Sequence, residues 1–449
     1  MRSKLKRFLC PEWEWVLIVL ITPLLMFPTQ FPRVTAGALV LLLAAWVGEW
    51  WAYGLPTLRT PLTWPWVLLG AMVLVGVWAS TVPDLTLPKL TNILLGMVAL
   101  RATLLGVRAP HHLWRALGVY LLVGLGLVAL GALGTPWKLK FPSLAFVYSH
   151  TPRRFSELPG TVGGVNVNAL GGTTLFFVPL LTVLCVSLWH AEDVTTLFWP
   201  RRPASGVWGW RGWSAVLKGI VLVLTLALIG VLVLSQSRTA WFGLLTTLVL
   251  LAAVRYRRAR WVLLIAMLIG IGFVVYVGPD RFLEALVSRE SDTALEASLG
   301  GIGIATRVEL WSRATYAIQD FPFTGCGLGT FRRITRVLYP LFIVTPEVDI
   351  AHAHNVFLQT ALDVGLPGLV SYLSLLLVAS LMCWRVYREG EASQRALALG
   401  LWGSLVAVHL FGLADAFVLG AKVGVFFWLA LGLIAAAHDC VVRSEGTAW

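Results

Sequence analysis

The sequence predicts an all-α, polytopic transmembrane helix bundle. Of its 449 residues, 58% are hydrophobic and only 13% are charged, and the mean hydropathy is +0.81. Soluble domains average about half apolar and about a quarter charged residues. Apolar runs of roughly 18 to 22 residues, each long enough to cross a bilayer, recur along nearly the whole chain. The core of this protein is therefore expected to be the bundle of membrane helices itself.

Hydropathy predicts about twelve spans. They lie near 13–28, 34–53, 64–82, 87–107, 113–134, 165–189, 214–234, 237–254, 261–278, 366–386, 396–415 and 421–438. If the chain starts inside, nearly every basic cluster falls in an inner loop, as the positive-inside rule requires. This agreement predicts that both termini are cytoplasmic.

The span pattern divides the chain into three parts. Residues 1–278 hold spans one to nine, 279–365 form one large hydrophilic loop on the outer side, and 366–449 hold the last three spans and an inner tail. Short helices are expected within the loop. Its sequence Thr306-Arg-Val-Glu309 matches a capping box, which predicts a helix that begins there.

Three further local signals lie in or beside the same loop. Asp320 and Pro322 are expected to end the helix that the capping box begins. The pattern Gly325-x-Gly-x-Gly329 predicts a tight turn with positive φ angles. Gly365 is expected to stop a short helix that follows His354, before the next span begins.

The net charge of +13 follows mostly from inner basic loops, so it does not point to nucleic acid. The cations that point to a function are those on the outer side, where the positive-inside rule predicts few basic residues. The outer segment near 135–164 contains Arg153 and Arg154, and the large loop contains more. An anionic ligand is the natural use for such cations.

Arg238 and Arg307 are the two most specific cationic candidates. Arg238 follows Ser235-Gln-Ser237 in a very short outer turn, where a helix N-terminus and a guanidinium together suit a phosphate. Contact with lipid headgroups is the alternative. Arg307 is expected in the first turn of the loop helix, an unfavourable end for a cation, so it requires an anionic partner such as a ligand or Glu309.

His354 is the candidate general base, because a histidine in a water-exposed loop beside the membrane changes protonation near neutral pH. His352 is two residues away and would not share a helix face with it. Neither histidine shows metal-ligand spacing, so no metal is predicted. His352 and Asn355 are candidates for substrate binding.

Three other polar residues are candidates at the outer face. Asn166 and Asn168 open the sixth span, where they cap the helix or bind sugar hydroxyls. Lys89, near the outer end of the fourth span, is a candidate for the same cationic site. Lys89, Arg101 and Asp415 are each functional, paired with another charge or located near an interface.

These residues resemble the O-antigen ligase and polymerase superfamily of bacterial inner-membrane glycosyltransferases. The resemblance lies in Ser235-Gln-Ser-Arg238, Arg307 with Trp311, Phe321-Pro322, Gly325-x-Gly-x-Gly329-Thr-Phe331, and His354-Asn355 followed by Gly365-x-x-Gly368. Asn166-x-Asn168-Ala-Leu170 extends it upstream. The motifs cover roughly 160–370, and the rest of the chain agrees only in hydropathy.

The resemblance implies a GT-C-like fold with a long periplasmic loop and a periplasmic active site. It implies a metal-independent, inverting enzyme without cofactors whose donor is a glycan on undecaprenyl pyrophosphate. In the ligases the acceptor is the lipid A-core oligosaccharide. Arg238 and Arg307 match the family arginines assigned to the pyrophosphate, and His354 matches the family's catalytic histidine.

The acceptor is the open question. Polysaccharide polymerases, which extend a growing glycan, and protein O-oligosaccharyltransferases share these motifs; one dominant outer loop favours a ligase. A lipid-linked sugar flippase is a different class, and it would need a membrane-deep polar path. A cavity lined by Lys89, Arg101 and Asp415 would favour a flippase, whereas a closed bundle with an outer groove would exclude it.

Overall fold

The computed structural model describes residues 13–53, 60–107, 109–137, 145–149, 164–190, 207–278, 281, 304–344 and 349–444. Within these ranges the regular structure is helical and no β-strand occurs. The predicted all-α class is therefore confirmed.

Sixteen α-helices are described, and they are numbered here in chain order. The first eight are α1 (Trp13–Met26), α2 (Pro32–Tyr53), α3 (Thr63–Trp78), α4 (Pro83–Gly106), α5 (Pro110–Gly134), α6 (Ala145–Ser149), α7 (Val167–Thr174) and α8 (Val178–His190). The others are α9 (Val207–Ser235), α10 (Arg238–Arg255), α11 (Arg257–Val277), α12 (Ile304–Asp320), α13 (Phe331–Leu338), α14 (Val356–Glu389), α15 (Ala392–Phe411) and α16 (Val425–Ser444).

The apolar helices coincide with the predicted spans. In the described part of the chain, 9 helices are long and apolar enough to cross a membrane. Three shorter apolar helices, Leu17–Met26, Pro32–Gly48 and Thr63–Trp78, lie at the first three predicted spans. The prediction of a multi-pass helical bundle is confirmed.

Helix α15 runs antiparallel to three helices that carry site residues. Gly243 of α10 packs so closely on α15 that a Cβ there would lie 2.8 Å from the Ala407 carbonyl oxygen. Further along α10, Leu251 packs on Gly403, and α8 meets α15 through Leu180 and Gly400. Helix α14 leads into α15 through a short turn and is also antiparallel to it. Consequently α7–α8, α10 and α14 all begin at the end of the bundle where α15 finishes.

We call this end of the bundle the polar end. Helix α4 also begins there, because Lys89 in its second turn forms an ion pair with Asp363 near the start of α14. Helix α4 then runs parallel to α16, with Gly96 against Trp428 and Gly432 against Thr103. The polar end therefore gathers the starts of four helices around one small region.

Helix α11 lies at the periphery. It packs against α10 and none of its residues is buried. Its apolar side chains, such as Ile269 and Val275, stay 67% and 71% exposed. Such a surface is stable only against lipid, which agrees with a membrane span.

The large loop differs from its predicted form at one point. Helix α12 already includes Ile304, so Thr306 and Arg307 lie within the helix and the capping-box prediction is wrong. The Glu309 carboxylate instead accepts hydrogen bonds from the backbone N–H groups of Phe342, Ile343 and Val344. Three amide donors satisfy this carboxylate better than the single N–H of a capping box.

Other predictions for this region are confirmed. Helix α12 ends at Asp320, as the sequence predicts. Gly325, Gly327 and Gly329 have φ angles of 66°, 100° and 78°. Gly365 interrupts α14 with φ 71° and ψ 175°, which separates its first short segment from the long span.

Candidate functional site

The site is built where α14 begins beside the end of α15. Asn355 caps α14, since its side-chain oxygen accepts from Phe357 N and Leu358 N at 3.0 and 3.1 Å. Its amide nitrogen donates to the Leu413 carbonyl at 3.1 Å. Val356 N also donates to the Gly412 carbonyl at 2.7 Å. These bonds hold the 352–355 segment against the segment that follows α15.

Two histidines and an aspartate meet at this junction. The rings of His352 and His354 lie 4.2 Å apart between centroids. His352 Nε2 is 3.4 Å from the Asp415 Oδ1 atom. His354 has a left-handed backbone with φ 49°, which is uncommon for a residue other than glycine and is found most often at functional sites.

The hydrogen bonds define the tautomer of His352. The backbone N–H of His354 donates to His352 Nδ1 at 3.2 Å, so Nδ1 carries no proton. The ring proton of neutral His352 is therefore on Nε2, where it faces the Asp415 carboxylate. These two contacts fix the orientation of the His352 ring, and the Nδ1 lone pair is occupied by the hydrogen bond from His354 N–H.

Burial and nearby cations keep both imidazoles neutral. Burial first, and then the charges of Lys89 and Arg307, lower the pKa of His352 to about 4. Burial, followed by the neighbouring His352, also lowers the pKa of His354. Burial raises the pKa of Asp415. Both histidines are therefore proton acceptors at neutral pH.

His354 is connected to helix α12. The Trp311 indole N–H donates to the His354 carbonyl oxygen at 3.3 Å. Arg307 precedes Trp311 by one helical turn and shares its face, so its charge lies near the histidines and lowers the pKa of each. His354 Nδ1 is buried and has no hydrogen-bond partner among the described residues.

A metal ion would not suit this cluster as it is hydrogen-bonded. Ligand atoms of His352, His354 and Asp415 lie within 4.8 Å of one another. However, the Nε2 atom of His352 that faces Asp415 carries the ring proton and cannot bind a cation while Nδ1 accepts its hydrogen bond. Arg307 and Lys89 also bring positive charge to this position. The chemistry of these donors favours proton transfer, and metal-free catalysis stays a prediction.

Beneath the histidines a buried ion pair joins four segments of the chain. The Lys89 ammonium pairs with Asp363, and their side chains are 16% and 1% exposed. Asp363 Oδ1 accepts from Gly329 N at 2.9 Å and from the Gln359 amide at 3.0 Å. Gln359 in turn accepts from Ala353 N, between the two histidines, at 2.8 Å. The predicted cation Lys89 is thus placed under the site with a carboxylate partner.

The remaining described candidates lie around two helix N-termini at the polar end. Arg238 is the first residue of α10 and is exposed, directly after the turn in which Gln236 has φ 47°. Asn166 caps α7, accepting from Asn168 N at 2.8 Å and from Ala169 N at 3.3 Å. Capping, one of the two predicted roles of Asn166, is therefore observed.

Helix α7 packs directly on the turn before Arg238. A Cβ at Gly171 would lie 2.8 Å from Ser235 Oγ and 3.3 Å from Ser237 Cβ. Arg153 and Arg154 lie outside the described residues. The structure thus joins His352, His354, Arg307, Lys89 and Asp415 in one cluster, and it places Arg238, Asn166 and Asn168 at the same end of the bundle.

The comparison with known families agrees with the sequence motifs. Residues 220–373 match the family model described as O-antigen ligase. The match covers 154 of the 449 residues, about a third of the chain. No curated protein matches the chain.

The matched segment contains most of the cluster but not all of it. Arg238, Arg307, His352 and His354 lie within the matched residues 220–373. Lys89 and Asp415 lie outside them and are brought to the matched segment by helix packing. The site therefore needs helices on both sides of the matched segment.

Sequence reasoning left the roles of two site residues unassigned. It named Asp415 as a residue that is functional, paired or near an interface, without giving it a partner, and it did not single out Gln359. The signal for Gln359 was its position one turn before Asp363, which puts both side chains on one face of an apolar helix. No local pattern connects Asp415 with His352, because they flank different helices.

Proposed function

We propose that this protein is an O-antigen ligase. It would move a glycan from undecaprenyl pyrophosphate to the lipid A-core oligosaccharide on the periplasmic face of the bacterial inner membrane, with inversion at the anomeric carbon and without a metal ion. The observation that carries this proposal is the neutral histidine cluster beside Arg307, within the segment that matches the O-antigen ligase family.

His354 acts as the general base in this proposal. Its buried Nδ1 has no partner among the described residues, whereas His352 Nδ1 already accepts the His354 N–H. The base takes the proton of an acceptor hydroxyl while that oxygen attacks C1 of the donor sugar. The bond from C1 to the pyrophosphate oxygen breaks, and the pyrophosphate leaves with the electron pair. General base catalysis contributes about 10²- to 10⁴-fold.

Asp415 and His352 position the base. Proton uptake creates an imidazolium on His354, and the Asp415 charge raises the pKa of that group. The carboxylate thereby stabilises the protonated base without taking the proton itself. His352 holds the His354 backbone through the 3.2 Å hydrogen bond, which maintains the left-handed turn.

Arg307 and Arg238 bind the donor pyrophosphate. Negative charge grows on the leaving group, and a fixed guanidinium stabilises it without a metal ion. Loss of one such contact typically costs about 3 kcal/mol of barrier. Arg307 lies beside the histidines, while Arg238 adds its charge to the N-terminus of α10, where backbone N–H groups also favour phosphate.

The other candidates have supporting roles in this proposal. Lys89 forms an ion pair with Asp363, and this pair connects the helices that support the site. Asn355 and Asn166 use their side chains to cap α14 and α7. Asn168, Arg153 and Arg154 stay candidates for contacts with the glycan.

The distribution of charge supports a periplasmic site. Arginines gather at the end of the bundle opposite the polar end, at the finish of α10 and α14 and the start of α11 and α15, namely Arg255, Arg257, Arg258, Arg385, Arg388 and Arg395. The positive-inside rule assigns that end to the cytoplasm. The polar end then faces the periplasm, with the lipid tail of the donor in the bilayer.

The neighbours of three polar residues argue against a flippase. Lys89 pairs with Asp363 and Asp415 faces His352, both at the polar end. Arg101 lies further along α4, with its guanidinium 5.8 Å from the Trp46 ring. Arg101 is thus separated from the Lys89 and Asp415 side chains and has a different neighbour, which supports a transferase.

Product analysis separates a ligase from a polymerase. The purified full-length protein is incubated with a native undecaprenyl-pyrophosphate glycan, with and without lipid A-core, in the presence of EDTA. We expect glycan-modified lipid A-core only when the acceptor is present. Longer lipid-linked glycans with unmodified lipid A-core would contradict ligation and indicate a polymerase.

A further inference from the structure

A cavity lies at the end of the bundle opposite the histidine cluster. Its volume is about 700 Å³, and it opens between the ends of α8, α10 and α14 and the start of α15. Val183, Val186, Leu248 and Leu251 belong to its apolar wall. The proposed transferase chemistry takes place at the polar end and makes no use of this cavity.

The cavity also has a basic and aromatic rim. Arg255 and Arg395 line it together with Tyr256 and Tyr387, and none of its described lining residues is acidic. The Arg255 guanidinium lies 5.4 Å from the centroid of the Tyr256 ring. Tyrosines at the end of a span are typical of the headgroup level of a membrane.

Arg395 occupies an electrostatically unfavourable position. It lies in the first turn of α15, where the helix dipole already carries positive charge. Its Nε atom donates to the Gly390 carbonyl at 2.7 Å, which holds the guanidinium at the cavity. Glu389, which ends α14, is engaged by Arg385 at 2.7 Å. Glu391, the N-cap residue of α15, forms a capping box with Gln394. Both acidic residues next to this rim are therefore engaged with partners of their own.

We propose that this cavity binds an anionic phospholipid of the surrounding leaflet. The phosphate would lie between Arg255 and Arg395, and the acyl chains would enter the apolar wall beside Val186 and Leu248. An anionic lipid combines both features of the cavity, since basic pockets between membrane helices on the cytoplasmic side suit anionic headgroups. A free phosphate would use the rim alone and leave the apolar wall without a ligand.

Native mass spectrometry of the purified full-length protein tests this proposal. The protein is titrated in detergent with phosphatidylglycerol or with phosphatidylcholine, and bound lipid is counted. The cavity variant is Arg255→Gln/Arg395→Gln. The matched control, Arg257→Gln/Arg258→Gln, removes the same charge at the same end of the bundle from two arginines that do not line the cavity.

We expect the wild-type protein to prefer phosphatidylglycerol. The cavity variant should bind it roughly 30-fold more weakly, while the control stays within about 3-fold of wild type. Equal losses in both variants, or equal binding of the two lipids, would overturn the proposal, because general surface charge would then explain the binding.

A third variant distinguishes the lipid from free phosphate. Val186→Trp fills the cavity from a position that is 49% exposed and leaves the charge unchanged. It should weaken phosphatidylglycerol binding by about 10-fold or more. Unchanged lipid binding by this variant, or complete displacement of the lipid by millimolar inorganic phosphate, would show that the rim binds phosphate alone and would overturn the proposal.

Discussion

His352 and Asp415 face each other across two segments that flank different helices, with His352 Nε2 and Asp415 Oδ1 3.4 Å apart. His352 precedes α14 and Asp415 follows α15. The Val356 N–H to Gly412 carbonyl bond of 2.7 Å fixes the two segments together. The pair therefore depends on the backbone packing at the polar end and not on long flexible side chains.

Asp415→Asn should slow glycan transfer without weakening donor binding. The carboxylate stabilises the protonated base, so its loss should reduce kcat on the order of 100-fold, at the low end of a general-base effect, with KM for the donor little changed. Asp415 raises the pKa of His354, so the acidic limb of the kcat profile should also move to lower pH.

The control for this variant is Asp349→Asn, which removes an exposed carboxylate that pairs with Arg332 in the same loop region. Steady-state kinetics over pH 3 to 8, a range that includes the pKa of His354, lowered to about 3, would measure all three proteins. An Asp415→Asn enzyme with normal kcat and an unmoved acidic limb would show that the carboxylate does not act on the base.

The stability of the protein should fall on acidification because of His352. Its pKa is lowered from 6.5 to about 4 by burial first and by Lys89 and Arg307 second. Below pH 6.5 His352 is protonated in the unfolded chain but still neutral in the folded protein. The contribution of His352 to stability is therefore fully present above pH 6.5 and is lost as the pH falls towards 4. His352→Gln should lose less of its Tm between pH 7.5 and 4.5. Parallel losses in both proteins would assign the effect to other groups.

Lys89 and Asp363 should show strong energetic coupling. Each single variant, Lys89→Met or Asp363→Asn, leaves a mostly buried charge without its partner and should cost about 3 kcal/mol of stability. The double variant should cost clearly less than the sum of the two, because no unpaired charge remains. Thermal unfolding of the four proteins in detergent measures this double-mutant cycle. Strictly additive losses of stability would contradict a structural ion pair.

Gly365→Ala should destabilise the junction between the two parts of α14. Gly365 has φ 71°, and a Cβ there would lie 2.1 Å from the Phe323 carbonyl oxygen. We expect a large fall in Tm and a loss of transfer, because this turn supports the segment that carries Asp363 and Gln359. Gly118→Ala is the control, since it is helical, has nothing within 4 Å and should be neutral or stabilising. Equal Tm values for the two variants would contradict this reading.

Local sequence patterns predicted the helices, because the length and hydropathy of each span depend only on consecutive residues. The break at Gly365 and the turn at Gly325–Gly329 were predictable for the same reason, since glycine marks positive φ angles. The site was only partly predictable. His354 and Arg307 were named from motifs, whereas the partner of His352 depends on packing between α14 and α15.

Two residues show where tertiary structure decides what a local pattern gets wrong or leaves open. Glu309 fits a capping box in sequence, but its carboxylate binds three backbone amides from residues 342–344, which follow it by about thirty positions. Lys89 was predicted as a cation for the substrate or as a paired charge, and the structure pairs it with Asp363. In both cases the partner is distant in sequence, so no window of neighbouring residues reveals it.

The most direct test of the account is glycan transfer by His354→Ala. Purified wild type, His354→Ala and the control His111→Ala, an exposed histidine at the start of α5, are compared with the undecaprenyl-pyrophosphate donor and lipid A-core in EDTA. We predict that His354→Ala binds the donor normally but transfers about 10²- to 10⁴-fold more slowly, while His111→Ala matches wild type. Transfer at the full rate by His354→Ala would contradict the role of this histidine as the base.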